Sequence, residues 1–134
     1  MSTLKLSIVT PLGMKYQGEV LEVYAPAIKG EIGILPQHVP FISTTQPGII
    51  RVLDKDGKEH FFVSQIGFLQ VDNDKVEILV EEAKTPDEIE VSEIEKQISE
   101  LKSFLDGKGL NDEGYENGAR ELKYYSKMLE LKNN

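Results

Sequence analysis

The chain has no cysteine and only two histidines. Without cysteine it has neither a disulfide framework nor a thiol nucleophile, a usage that suits a reducing compartment. His38 and His60 stand apart from any carboxylate motif at metal-ligand spacing, so no metal site is expected. The sequence also lacks a G-x-S-x-G elbow, a phosphate loop ending in G-K-S/T and a G-x-G-x-x-G turn. No catalytic residue and no cofactor are therefore nominated. Positive charge is scarce: 15 Lys and Arg against 23 Asp and Glu give a net charge of -8. That balance argues against nucleic acid or anionic lipid as the main partner. No apolar run approaches the ~20 residues that span a bilayer, so direct anchoring in lipid is not expected. No basic segment leads into an apolar core after Met1, so a secretory signal is not expected either. A protein of this kind reaches a membrane by holding on to other proteins.

What is present begins with strands. The 134 residues, 40% of them hydrophobic, suffice for one domain with an appendage. Leu4 to Val9 alternates with period two and turns Leu4, Leu6 and Ile8 inward. Tyr16 to Ala25 is a second extended run, with Gly18 a candidate bulge. Strands over Gly48–Leu53 and Lys58–Val63 flank Asp56-Gly57, a dipeptide suited to the positive φ of a hairpin turn. Gly67–Val71 and Lys75–Val80 flank Asp72-Asn73-Asp74 in the same way. Turn signals every ~8–12 residues point to an antiparallel sandwich or barrel. Between these strands lies Gly30–Gly48, GEIGILPQHVPFISTTQPG, with three Gly and three Pro among apolar residues. The prolines lack the amide that a sheet ladder needs. The segment is expected to be a shaped, partly buried lip that serves as a docking surface.

After Thr85-Pro86 the composition turns helical. Ser92 and Glu95 fit a capping box. Ile94, Ile98, Leu101 and Leu105 form one helical stripe, ended by Gly107 and Gly109. Asn111 is the expected cap of a second helix, whose apolar face is Tyr115, Ala119, Leu122, Met128 or Leu129, and Leu131. Gly114 and Gly118 inside it would each cost up to ~1 kcal/mol against Ala. The expected architecture is a sandwich over residues 1–86 followed by an antiparallel two-helix hairpin over residues 87–134. Such a hairpin is weak alone and must lean on the sandwich, on a partner, or on each in turn.

The motif G-E-x-G-I-L-P-x-H-x-P followed by T-x-x-P-G strongly resembles the N-terminal domain of the epsilon subunit of F-type ATP synthases. The resemblance continues through Ser64–Val71 and Val76–Val80, and past residue 86 it rests on pattern alone. It implies a flattened two-sheet sandwich in a non-catalytic central-stalk subunit. The implied partners are the gamma subunit, the c-subunit ring and, transiently, the alpha and beta subunits. The implied place is the cytoplasmic face of the cell membrane, held through the complex. On the lip, the resemblance nominates Glu31, Gly33, His38, Pro40 and Phe41 as interface residues, with Glu31 toward the ring. On the second helix, Arg120, Lys123 and Lys127 share one stripe and are nominated as a latch of the extended, hydrolysis-inhibiting hairpin. Some bacterial members bind ATP through an I/L-D-x-x-R-A opening of the first helix and further arginines in the second. Here those positions are Glu90, Glu93, Ser126 and Glu130, and the carboxylates would repel a triphosphate. Weak or absent ATP binding is the expectation. The competing reading is a free-standing ligand-binding or regulatory sandwich whose helices cover its own pocket.

Overall fold

The computed structural model describes residues 2–133. The strands are β1 (Leu4–Thr10), β2 (Gly13–Ala27), β3 (Gly30–Ile34), β4 (Phe41–Thr45), β5 (Gly48–Asp54), β6 (Glu59–Ser64), β7 (Gly67–Asp72), β8 (Lys75–Val80) and β9 (Ala83–Lys84). A 3-10 turn over Pro86–Glu88 leads to α1 (Val91–Leu105) and α2 (Tyr115–Lys132).

The 15-residue β2 organises the rest. Its first half pairs with β1, from Thr10↔Gly13 to Leu4↔Val20. Its second half pairs with β5 on one side and β3 on the other. One layer is therefore β1-β8-β7-β4 beside the start of β2, and the other is β3-β2-β5-β6-β9. A single bridge, Ala27↔Thr45, brings β4 back to the end of β2. The pairings are antiparallel except β1–β8, which is parallel. Alternation fills the space between the layers. Leu4, Leu6, Ile8, Val23, Ile34, Ile50, Val52, Leu69, Val71, Val76 and Ile78 are buried there, with every second residue pointing out.

Local chemistry sets the turns. Gly57 has φ +85°, and Asp54 Oδ1 accepts from the amides of Asp56 and Lys58, each at 2.9 Å. Asn73 and Asp74 take φ of +50° and +60° between β7 and β8, the twist a two-residue hairpin needs. Gly67 is required by close approach: a Cβ there would sit 1.9 Å from the Leu79 carbonyl oxygen.

The lip contains two strands, β3 and β4, where only an irregular segment was expected. Its prolines fall in the joints: Pro36 in a turn, Pro40 just before β4, and Pro47 in the bend before β5. Both ladders thus keep their donors. Register shifts lie at Ile8/Val9 opposite Tyr16 and Met14 and at Val20/Glu22 against β5, while Gly18 pairs in register with Leu6.

The helices pack antiparallel on the outer face of β5–β6 and form a second core. Val63, Ile89, Ile94, Tyr124, Met128 and Leu131 are buried in it, flanked by Ile49, Phe61 and Ile98. Six buried side chains here against sixteen in the sandwich make the hairpin the less firmly held part. Both helix starts differ from the sequence reading. The N-cap of α1 is Glu90, with no side-chain cap bond, so Ser92 lies inside the first turn. A cap contributes about 1 kcal/mol, less than burying Ile89 and Ile94, and the burial wins. The N-cap of α2 is Gly114 at φ +80°, not Asn111. Asp112 instead accepts the Gly109 amide at 2.8 Å and folds the connecting loop. Gly114 is therefore a left-handed turn residue. Gly118 is a buried contact, where a Cβ would lie 3.0 Å from Leu105 Cδ2. The buried face of α2 is Gly118, Tyr124, Met128 and Leu131; Tyr115, Ala119 and Leu122 are only half-buried.

Candidate functional site

The lip folds around a short network. The Gln37 amide, at φ +68°, donates to Asp74 Oδ1 at 2.6 Å, so the β7–β8 turn holds the lip in place. His38 Nδ1 lies 2.7 Å from the Val39 carbonyl, and its ring meets Phe41 edge to face at 6.2 Å. Glu31 is exposed at the start of β3, and Pro40 is exposed before β4. Gly33 has a task inside the chain: Tyr24 lies across it, 2.9 Å from where a Cβ would be. Arg51 stacks on the same Tyr24 ring at 4.3 Å, and Glu22 accepts the Tyr24 hydroxyl at 2.6 Å, which raises the phenol pKa. Phe41 turns inward, packing against the main core. The outward residue on that strand is its neighbour Ile42, 61% exposed.

One row further along the same face lies a larger feature. Thr44, Phe68 and Leu79 are cross-strand partners on β4, β7 and β8, and Leu79 in turn pairs with Val9 on β1. All four point away from the core. Val9, Leu79 and Phe68 form an apolar band, beside Thr44, across one end of the outer face. Phe68 and Leu79 are exposed, as are Ile42, Val39 and Leu35. The next row of the same sheet is polar across Ser7, Glu77 and Gln70 and ends in Ile42, with Leu35 and Val39 beyond it on the lip. Soluble surfaces scatter single apolar residues, but a contiguous band marks an interaction face. Phe68 and Leu79 were not singled out from the sequence. The available signal was an aromatic and a leucine in the solvent phase of strands whose other outward residues are Gln70 and Glu77.

The hairpin is held down by its core and a few polar ties. The Tyr124 hydroxyl donates to Glu82 Oε1 at 2.8 Å, and burial together with that carboxylate raises the phenol pKa strongly. Lys132 Nζ donates to the Pro86 carbonyl at 2.9 Å. Lys123 Nζ donates to Gln46 Oε1 at 2.5 Å. Lys123 and Lys127 lie along the bend between β4 and β5, while Arg120 faces Ile66 and Glu81. Lys123 and Lys127 border a cleft with Pro26, Glu31, Gln46 and Glu130. Lys127 itself bonds Glu130 at 3.2 Å on its own helix. Of the positions aligned with the nucleotide pattern, Glu90 caps α1 and Glu93 sits in its first turn, while Ser126 and Glu130 are exposed on α2.

His60 is tied into the β5–β6 hairpin. Its Nε2 lies 2.9 Å from Asp54 Oδ2 and its ring is 5.3 Å from Tyr16. The hydrogen bond from His60, with amides of the β5–β6 turn, lowers the Asp54 pKa. The pair secures the hairpin turn rather than opening a reactive centre. Among the described residues no group of three His, Cys, Asp or Glu is placed to hold a metal ion. No helix among them is long and apolar enough to cross a membrane.

The joint between sandwich and hairpin has its own clamp. Glu88 Oε1 accepts from Lys15 Nζ at 2.5 Å, from the Thr85 amide at 2.9 Å and from the Thr85 hydroxyl at 3.1 Å. These donors, Lys15 foremost, pull the Glu88 pKa down to about 2.

Residues 3–86 match the family described as ATP synthase, Delta/Epsilon chain, beta-sandwich domain. The chain is similar to the ATP synthase epsilon chain of Nitratiruptor sp., with 39% identity over 83% of this chain and 86% of that one. It is similar to that of Dichelobacter nodosus at 34% identity over 92% and 84% of the two chains. Against that of Sulfurihydrogenibium sp. identity is 32% over 95% of each. Its fold matches a chain of the Euglena gracilis mitochondrial ATP synthase with a TM-score of 0.85 at 23% identity, covering 100% of this chain and 83% of that one.

The Glu88 clamp has an acid limit. A carboxylate whose pKa is lowered on folding adds stability above its ordinary value of 4.5 and loses it as pH falls toward about 2. Because Glu88 is largely solvated, Glu88→Gln should cost only ~0–1 kcal/mol at neutral pH. In urea unfolding, the wild-type advantage over Glu88→Gln should shrink through that acid window. An advantage of unchanged size at its lower end would show that the clamp does not contribute.

Proposed function

This chain belongs to the ATP synthase epsilon chain family, and on that premise we propose that its sandwich fastens the gamma shaft to the c-subunit ring while its hairpin restrains ATP hydrolysis. It is a non-catalytic subunit of the central stalk. The observation that carries the proposal is the apolar band of Val9, Leu79 and Phe68. A band of this kind, on a rigid sheet with a polar row beside it, is suited to firm packing against another protein. We assign the gamma subunit to it. Glu31, exposed on the next lip strand, is assigned to the polar loops of the ring, where a rim charge selects and orients a partner. Held in this way, the chain sits peripherally at the cytoplasmic face of the membrane. The hairpin, with its small core, is the movable part. Extended, it would offer Arg120, Lys123 and Lys127 to acidic segments of the catalytic subunits. ATP is left out of this reading, since Glu93 and Glu130 replace the arginines that would meet its phosphates.

The band predicts that Phe68→Asp, which alters only an outward side chain, lowers affinity for purified gamma by at least a hundredfold while leaving circular dichroism unchanged. Co-elution of the variant with gamma at wild-type strength would overturn the shaft assignment. The brake is read best at Lys127, whose recorded bond is to its own helix. Lys127→Glu should raise ATP hydrolysis by the reconstituted complex, and Arg120, Lys123 and Lys127 reversed together should raise it further. Unchanged hydrolysis in both would exclude the latch. Titration calorimetry with ATP should return no submicromolar affinity; finding one would mean that the phosphate-facing positions lie elsewhere.

A further inference from the structure

Beside Val9, Leu79 and Thr44 the surface is not flat. A cavity of about 590 Å³ opens there, walled by Val9, Thr44, Ile66, Leu79 and Glu81 of the sandwich and by Arg120 of the hairpin. We propose that this cavity is the anchor pocket of the shaft interface and that Arg120 completes it, so that the folded-down hairpin is itself part of the shaft-docking surface. The inference rests on the shaft reading above and adds a second body to that contact.

Three observations support it. The pocket is continuous with the band, since Val9 and Leu79 belong to both. The Arg120 side chain has no polar tie to the sandwich among the described residues. Its guanidinium meets Asn117 and, at 3.9 Å, Glu116, both on its own helix. By contrast Lys123, Tyr124 and Lys132 each bond the sandwich or the joint. Arg120 therefore lies against the pocket with no hydrogen bond or ion pair to the sandwich. Finally, the chemistry suits one occupant. Aliphatic walls take an apolar side chain, and the stem of an arginine covers such a side chain while its planar head bonds an acceptor beside it. A shaft segment with a large apolar residue next to a carboxylate or free carbonyl fits. Central apolar anchors paired with arginine are the common pattern of energetically dominant contacts.

The consequence is a coupling. When the hairpin extends, Arg120 leaves and the pocket loses a wall, although the band stays. Any part of the shaft affinity that depends on Arg120 must hold the hairpin down by the same factor, because linkage between two binding equilibria is reciprocal. The shaft would then resist release of the brake through its grip on the sandwich.

The absence of native cysteine allows clean labelling. Fluorophores on Lys58→Cys and Ser126→Cys in the full chain report the position of the hairpin, and titration with purified gamma subunit reports affinity. Arg120→Ala should weaken gamma binding about fivefold or more, with Arg120→Lys between it and wild type. Gamma should shift the label distances toward the folded-down value in wild type and less so in Arg120→Ala. Melting temperature should move little, because Arg120 makes no hydrogen bond or ion pair to the sandwich. If Arg120→Ala binds gamma like wild type while Phe68→Asp does not bind, the coupling is wrong and the shaft reading stands. If Phe68→Asp also binds normally, both fall.

Discussion

The arrangement depends on one strand serving two layers. β2 gives its first half to β1 and its second half to β3 and β5. Its backbone hydrogen bonds therefore fix the spacing of the layers before any side chain is counted. Side-chain alternation then fills the gap, since a two-residue period leaves every second position facing the opposite layer. The apolar band and the hairpin seat are the outer faces of these same layers. Their positions follow from the register of β2 and cannot shift without turning the core inside out.

The hairpin obeys different physics. Its contact with the sandwich is a small apolar core fastened by the Tyr124–Glu82 hydrogen bond and by lysine contacts to Gln46 and Pro86. A hydrogen bond of this type contributes about 1 kcal/mol net. A buried tyrosine hydroxyl stripped of its partner would cost more than that. Leaving is therefore possible but discrete: the hydroxyl must find water or another acceptor as the helices lift. This combination of modest apolar hold and a few specific ties suits an element with two resting places. A larger core would have fixed it permanently.

Much of this was readable in the residues, and the exceptions share a cause. The strand positions, the two tight turns at Gly57 and Asn73-Asp74, and the order of sandwich then hairpin follow from local alternation and turn chemistry. The face of α2 did not, because Tyr124 carries a hydroxyl and reads as a surface residue until Glu82, 42 positions earlier, is brought beside it. The start of α1 was misplaced because a local cap competed with burial of Ile89 and Ile94. Phe41, nominated for the interface, packs partly against the core and Ile42 points outward, since β4 parity is set by its pairing with Leu69 and Val71 on β7. Gly33, nominated for the interface, makes room for Tyr24. In each case the decisive contact comes from a distant part of the chain.

The single bridge between Ala27 and Thr45 closes a circuit: β2 to β1, β8, β7, β4 and back to β2. A closed circuit of hydrogen-bonded strands behaves under twist as a tube rather than a plate. Load entering at one strand is shared around the hoop, and no seam can open without straining its neighbours. The thinnest seam is that lone bridge, where the Gln46 amides also bond the Pro26 and Ala27 carbonyls. A fitting that carries torque would yield there first.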